Sequence, residues 1–156
     1  MPDTPAETST LVSTPEAMSR TAAEGVAGSD DLPGGLVDFG GIDIYLFDQL
    51  LRGRITPAMR VLDAGCGHGR YLRAFASLGA EVVGVDAGES IETAARLAAD
   101  WPGVDVVQGS VLALPFRDET FDLAFSDGVI HHTPDPRAAY RELARVVKPG
   151  GAVYVF

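Results

Sequence analysis

The stretch V-L-D-A-G-C-G-H-G, residues 61–69, decides the fold of this chain. An apolar run leads into alternating glycines, Gly65, Gly67 and Gly69, and a helix-forming segment follows. Glycine lets a chain turn sharply from strand to helix and lets a ligand approach the backbone closely. The free N–H groups at the start of the next helix favour a carboxylate or phosphate. The stretch therefore predicts a strand–loop–helix unit that binds a small molecule.

The next apolar run, E-V-V-G-V-D at Glu81–Asp86, ends in a carboxylate 21 residues beyond Gly65. A carboxylate at the end of a second strand is placed to accept both hydroxyls of a ribose. The two stretches together predict a ligand that contains a nucleoside. A dinucleotide site expects a small residue three positions after the second glycine, where this chain has Arg70. A dinucleotide-dependent oxidoreductase is therefore a disfavoured alternative.

Outward from these stretches, apolar strands alternate with helical segments. Strands are predicted at 60–63, 81–86, 104–108, 121–126 and 152–156, and helices at 42–55, 70–78, 89–99 and 136–147. Asp135 and Pro136 mark the start of the last helix, and Pro149-Gly150-Gly151 is predicted to stop it. The alternation predicts an α/β fold with a mostly parallel sheet covered on both faces.

Composition predicts one cytoplasmic domain behind an acidic tail. The chain has 156 residues, of which 46% are hydrophobic, and a formal charge of −10, which opposes binding to nucleic acid or an anionic membrane. Residues 1–31 carry half of that charge and few large apolar side chains, so we expect a disordered tail and linker at 1–38 and a domain at 39–156. The single cysteine fits a reducing compartment. The sequence shows neither a secretory signal nor an apolar run long enough to cross a membrane, so we expect a cytoplasmic protein.

The motifs, in this order, resemble those of class I S-adenosylmethionine-dependent methyltransferases. Val61–Gly69 is similar to the first motif of that family, and Val82–Asp86 to its acidic second-strand end. Pro115–Asp122 and the H-H-x-x-D-P run at His131–Pro136 resemble the small-molecule branch that includes ubiquinone and menaquinone biosynthesis methyltransferases. Leu143–Gly151 resembles the segment before the fifth strand. The resemblance implies a three-layer Rossmann-like sandwich, S-adenosylmethionine as cofactor and a small-molecule methyl acceptor.

The resemblance also implies roles for the residues around the glycine loop. Asp63 would order the loop and help bind the ammonium group of the cofactor, directly or through water. Gly65 and Gly67 would lie against its methionine portion. Asp86 would accept the ribose hydroxyls, and Ala87 would face the adenine edge.

Further positions are predicted to line the same site. Ser110, with Val111 beside it, follows the third strand where many relatives carry an acid, and its hydroxyl can still accept one hydrogen bond from the adenine amino group. Ser126 would lie near the methionine portion. Cys66 is predicted to be a cofactor-binding residue as a small member of the loop, because no basic partner at motif spacing marks it as a nucleophile. Tyr45, on the helix predicted at 42–55, is a further candidate contact because such a segment covers the cofactor in relatives.

His131 and His132 are the candidate catalytic residues. They follow the fourth strand, at the edge where open α/β sheets bind ligands, and histidine suits proton transfer near neutrality. The alternative is that they pack or cap ahead of the helix at Pro136. A methyl group on a sulfonium is already electrophilic, so alignment and exclusion of water can supply much of the catalysis. Three histidines and one cysteine lack the spacings of a zinc site, so no metal is predicted.

The chain departs from the family's pattern after the fifth strand. Relatives complete a seven-stranded sheet, whereas five strands are predicted here, so we expect a fragment of a longer product, a domain completed by another chain, or a short variant. We favour the fragment. The apolar strand at 152–156 would expose unpaired backbone groups, which predicts self-association. The alternative to methyl transfer is a non-catalytic cofactor-binding or scaffold domain that lacks its substrate-binding part.

Overall fold

The computed structural model describes residue 51 and residues 53–156. The tail predicted at 1–38, Tyr45 and most of the helix predicted at 42–55 lie outside the described residues. Gly53 and Arg54 form a turn, so the prediction that this helix reaches Ile55 is wrong. Glycine is a poor helix former, which accounts for the earlier end.

Strands and helices alternate through the described residues, as the sequence pattern predicts. In chain order they are β1 (Arg60–Ala64), α1 (Arg70–Ser77), β2 (Glu81–Asp86), α2 (Ile91–Ala98), β3 (Val104–Gln108), β4 (Phe121–Ser126), a 3-10 helix (Ile130–His132), α3 (Pro136–Val146) and β5 (Val147–Val155).

The five described strands form one sheet in the order β3-β2-β1-β4-β5, and every neighbouring pair is parallel. β1 lies at the centre, with Asp63 between Gly84 of β2 and Phe125 of β4. The chain leaves β1 towards β2 on one side, and β4 lies on the other. Parallel sheets bind ligands at such a change of direction, beyond the carboxyl ends of the strands. The α/β prediction is confirmed.

Two cores, one on each face of the sheet, follow from the period of two along the strands. Val61 of β1 packs in the core under α1 and α2, where Phe75 is fully buried. Leu62, the next residue, points to the opposite core, where Leu143 of α3 is fully buried. Asp63 shares the alternation with Val61 and so belongs to the α1 face.

The end of the chain differs from the prediction. The helix stops at Val146, and β5 begins at once and continues through Pro149-Gly150-Gly151 instead of starting after them. Phe121 pairs with Val147 and Leu123 with Ala152, so β5 bulges by several residues between these pairs. A Cβ on Gly151 would lie 2.7 Å from the carbonyl oxygen of Asp122, so glycine is needed for the close pairing beside the bulge.

Two side-chain contacts of the helices stand out. The prediction of an Asp135 cap is confirmed, because its carboxylate accepts a hydrogen bond from Ala138 N at 2.9 Å. The guanidinium of Arg73 on α1 lies over the ring of Trp101, 5.0 Å from its centroid, and so connects α1 to the loop after α2.

Candidate cofactor site

The glycine loop between β1 and α1 adopts backbone angles that favour glycine. Gly65 has a φ of 85° and Gly67 a φ of 53°. Gly65 N and Cys66 N both donate to the carbonyl oxygen of Val85, at 2.7 and 3.0 Å. The loop is therefore pinned against the end of β2 before the chain enters α1.

Each glycine of the loop meets different surroundings. A Cβ on Gly65 would clash with the side chain of Val129, and one on Gly69 would lie 3.1 Å from Leu72 and 3.4 Å from Ala94. These two glycines let neighbouring parts of the protein pack closely. A Cβ on Gly67 would meet nothing within 4 Å. The open space of the loop is therefore at Gly67.

Asp86, at the end of β2, joins the glycine loop to the loop after β2. Its Oδ2 accepts from Gly67 N at 2.9 Å, and its Oδ1 accepts from Gly88 N at 2.8 Å and Ser90 Oγ at 3.3 Å. A carboxylate has about four lone-pair directions, so one at Oδ2 is left for a ligand hydroxyl. A second hydroxyl would compete with the longer bond from Ser90.

Asp63 is the most unusual group of the site. It is 2% exposed, and its Oδ2 has no hydrogen-bond partner. Burial and, next, the charge of Asp127 raise the pKa of Asp63 to about 7, against the smaller opposite effect of Arg70. Burying a carboxylate without a donor is costly. The site therefore lacks a positively charged donor at this point.

Asp127 is a site residue that sequence reasoning missed. It follows β4 directly and accepts a hydrogen bond from the Tyr71 hydroxyl at 2.7 Å, while Arg70 Nη2 lies 3.5 Å from the same oxygen. Its side chain is 11% exposed. The signal in the sequence is an acid placed directly after a strand next to β1, at the edge where Asp63 also lies.

Ser126 and Cys66 are predicted site residues that the structure buries. Ser126 is fully buried, and its hydroxyl donates to the carbonyl oxygen of Ala64 at 2.8 Å, which joins β4 to β1. Burial, above all, raises the pKa of the Cys66 thiol to about 12. The thiol therefore stays protonated at neutral pH, and Cys66 fills space beside Gly84, consistent with the interpretation as a small loop residue.

The positions predicted to face adenine lie beyond β2 and β3. Ala87 is exposed next to Asp86. Ser110 is half-buried, and its hydroxyl accepts from Leu112 N at 3.2 Å, while Val111 is 7% exposed. The Ser110 hydroxyl already has one internal partner, so an adenine amino group would have to use its remaining acceptor capacity.

The two histidines lie on the 3-10 helix that follows β4. Both are exposed, with ring centroids 4.0 Å apart. His132 N donates to the carbonyl oxygen of Val129, whose side chain packs on Gly65. The 3-10 helix therefore connects the exposed imidazoles to the glycine loop.

Residues 62–155 match a family model described as "Methyltransferase domain". A 24-methylenesterol C-methyltransferase 2 from Arabidopsis thaliana is 40% identical over 107 residues, which cover 65% of this chain and 29% of that protein. A ubiquinone biosynthesis O-methyltransferase from Pseudomonas entomophila is 39% identical over 98 residues, which cover 61% of this chain and 42% of that protein. The matched region thus spans less than half the length of either curated relative.

The fold is also similar to solved structures. A crystal structure of a SAM dependent methyltransferase from Aquifex aeolicus superposes with a TM-score of 0.60 at 27% identity, covering 65% of this chain and 58% of that one. Within the part of the chain that the structure describes, none of the helices has the length and apolarity needed to cross a membrane.

Proposed function

This chain belongs to the family of methyltransferase domains, and from that membership we propose that it binds S-adenosylmethionine and transfers its methyl group to a small molecule. The relatives named above support a small-molecule acceptor, since one is a sterol C-methyltransferase and the other a ubiquinone biosynthesis O-methyltransferase. One name specifies methylation of carbon and the other methylation of oxygen. We therefore propose a small-molecule acceptor without specifying which of its atoms receives the methyl group. The net charge of −10 also opposes a nucleic-acid substrate.

The unpartnered Oδ2 of Asp63 is the observation that carries the proposal. S-adenosylmethionine bears an ammonium and a sulfonium, and the site offers Asp63, Asp86 and Asp127 around an open backbone at Gly67. An ammonium near Asp63 would supply the donor that this carboxylate lacks. The pyrophosphate of a dinucleotide would instead meet repulsion from the same acids. The residues present therefore fit a cationic nucleoside.

The adenosine end of the proposed cofactor would be held by the loops after β2 and β3. Asp86 would accept one ribose hydroxyl with its remaining lone pair. The second hydroxyl would replace Ser90 Oγ as the donor to Oδ1. Ala87, Ser110 and Val111 lie beyond the same strand ends and would face adenine. Ser126 is fully buried at the end of β4. It would support the methionine portion through its hydrogen bond to Ala64 at the end of β1.

The bound cofactor would supply a methyl group that is already electrophilic. The protein's part is then to hold the acceptor in line with it and to exclude water. His131 and His132 are exposed beside the glycine loop, where an acceptor hydroxyl or acidic carbon could lose a proton to one of them.

Titration calorimetry of the chain with S-adenosylhomocysteine and with NAD tests cofactor binding. We expect a binding isotherm for the first and none for the second. Binding of NAD alone would refute the proposal and favour the dinucleotide alternative.

A labelled-methyl assay of the full-length gene product, against a panel of sterols and phenols, tests turnover. His131→Ala or His132→Ala should lower turnover by about 100-fold or more in at least one variant, with cofactor affinity nearly unchanged. Equal turnover in both variants would remove the histidines from the mechanism and leave cofactor binding intact. Absence of transfer by a product that binds S-adenosylhomocysteine would favour the scaffold alternative.

A further inference from the structure

We propose that Asp127 is a specificity-determining residue of the cofactor site, which together with Asp63 recognises the ammonium group of the cofactor's amino-acid portion. This inference rests on the proposed function, because it concerns the same site. It assigns to Asp127 a binding role. That role depends on the contact between α1 and the end of β4, two segments that meet only in the folded chain.

The position of Asp127 follows from the sheet. Its preceding residues, Phe125 and Ser126, end β4 beside β1, and Phe125 pairs directly with Asp63. The two carboxylates therefore lie at neighbouring strand ends on the same edge. After burial, the negative charge of Asp127 is the largest cause of the raised pKa of Asp63, in keeping with this placement at neighbouring strand ends.

The orientation of Asp127 is held by α1. The Tyr71 hydroxyl donates to its Oδ2 at 2.7 Å, and Arg70 Nη2 approaches the same oxygen at 3.5 Å. Tyr71 is itself buried, with its ring 4.6 Å from that of Phe125. A carboxylate fixed by a buried phenol keeps one direction, so it can recognise a donor rather than merely neutralise charge.

An independent observation points to a binding role for this place. Asp63 Oδ2 is buried and has no donor, although Asp127 has two. The side chain of Arg70 is 39% exposed and its guanidinium approaches Asp127, while Asp63 Oδ2 receives no hydrogen bond. An ammonium carries three donors. One such group between the two acids would complete the partners of both.

Arg70 extends the argument to the other charge of the amino-acid portion. Its partly exposed guanidinium is placed beside the Asp127 subsite, where it can pair with the ligand carboxylate. An amino acid presents its ammonium and carboxylate a few ångströms apart. The Asp63–Asp127 pair and Arg70 together match that pattern of charge.

The test compares two ligands with the same adenosine and a neutral sulfur. S-adenosylhomocysteine has the amino-acid portion and 5′-methylthioadenosine lacks it. Calorimetry on Asp127→Asn should show S-adenosylhomocysteine bound about ten- to hundredfold more weakly, because one charge-assisted hydrogen bond is lost. The affinity for 5′-methylthioadenosine should stay within about twofold.

Asp122→Asn is the matched control, since it changes an acid at the other end of β4. Asp122 accepts from Arg60 N and Lys148 Nζ, both at 2.8 Å, far from the site. This variant should bind both ligands as the parent chain does. Where Asp127→Asn does not fold, Tyr71→Phe supplies the comparison, because it removes the donor that orients Asp127 and should weaken S-adenosylhomocysteine alone.

The outcomes separate this inference from the proposed function. If the parent chain binds neither ligand, the proposed function fails and the inference with it. If Asp127→Asn weakens both ligands equally, or neither, the parent chain still binds adenosine compounds but Asp127 has only a structural role, and the inference is wrong.

Discussion

At the scale of single residues, the cofactor site combines one costly group with two permissive ones. Asp63 is buried without a donor for Oδ2, which is unfavourable for a carboxylate. Gly65 and Gly67 have positive φ angles, which glycine adopts without strain and other residues do not. Three substitutions test what these residues contribute to stability and to binding.

Asp63→Asn should stabilise the folded chain and weaken ligand binding. The pKa of Asp63 is raised from 3.8 to about 7, so the folded chain keeps a proton that the unfolded chain loses. The free energy of unfolding therefore falls as pH rises through this window. We expect the variant to be more stable by up to about 4 kcal/mol near pH 8 and equally stable near pH 4.

Urea unfolding at the two pH values, with calorimetry of S-adenosylhomocysteine at the higher one, measures both effects. A stability difference that does not change with pH would show that Asp63 does not titrate in this range. Unchanged affinity would remove Asp63 from the binding residues.

Gly65→Ala and Gly67→Ala should separate stability from binding. Both impose a positive φ on alanine, at about 1–2 kcal/mol each. Only Gly65→Ala also pushes a Cβ into Val129, which adds about 1–3 kcal/mol. Gly67→Ala instead fills the open space of the loop, so it should reduce ligand affinity with the smaller loss of stability. Equal losses in the free energy of unfolding for the two variants would contradict the view that the loop is open at Gly67 and closed at Gly65.

At the scale of elements, the sequence predicts best where a local run of residues defines the strand. The predicted bounds of β2, β3 and β4 agree with the structure because each is an apolar run closed by polar or glycine residues. β5 was predicted to begin after Pro149-Gly150-Gly151, since these residues usually end a strand or helix. They lie in a bulge opposite Asp122, between the Phe121–Val147 and Leu123–Ala152 pairs, so its shape depends on a strand more than 20 residues earlier in the chain.

The same reasoning explains which residues of the candidate site the sequence indicates. Gly65 and Asp86 stand in local motifs, so spacing along the chain marks them as candidates. Asp127 accepts a hydrogen bond from Tyr71, 56 residues earlier, and only the packing of α1 on the sheet brings the two together. A contact between segments that are far apart in the chain produces no recognisable motif in a single sequence.

The segment between β3 and β4 depends on one side chain of α3. Arg145 donates to the carbonyl oxygens of Phe116 at 2.8 Å and Leu114 at 3.1 Å, and it pairs with Asp118 and Glu142. A lysine ammonium cannot reproduce this fork. Arg145→Lys should therefore cost about 1–3 kcal/mol in the free energy of unfolding.

Arg141→Lys is the matched control, since Arg141 is exposed on the same helix. It should change denaturant midpoints little. Equal stability of the two variants would mean that the contacts of Arg145 add nothing beyond its charge.

At the scale of the whole molecule, β5 is, with β3, one of the two edge strands of the described sheet. It pairs with β4 and has no second strand partner within the described part of the chain. Tyr154 stacks on Phe125 of β4 with ring centroids 5.2 Å apart, while most residues of β5 are exposed or half-buried and its outer backbone groups face no described strand. An open apolar edge of this kind favours pairing with a second copy.

Sedimentation of the chain over a range of concentrations should show reversible self-association. Ala152 is exposed in β5, and Ala152→Lys should shift the chain towards monomer because charge on an edge opposes pairing. Ala95→Lys adds the same charge to an exposed position on α2 and should leave association unchanged. A monomer at every concentration would contradict the prediction.

The contact between Arg73 and Trp101 gives the molecule its own optical reporter. Trp101 is the only tryptophan in the sequence, and a cation lies 5.0 Å from its ring centroid. Indole emission responds to nearby charge, and Arg73 belongs to the helix that starts at the glycine loop. Any shift of that helix when a nucleoside enters should change the intrinsic fluorescence, so occupancy can be followed in real time on the unlabelled chain.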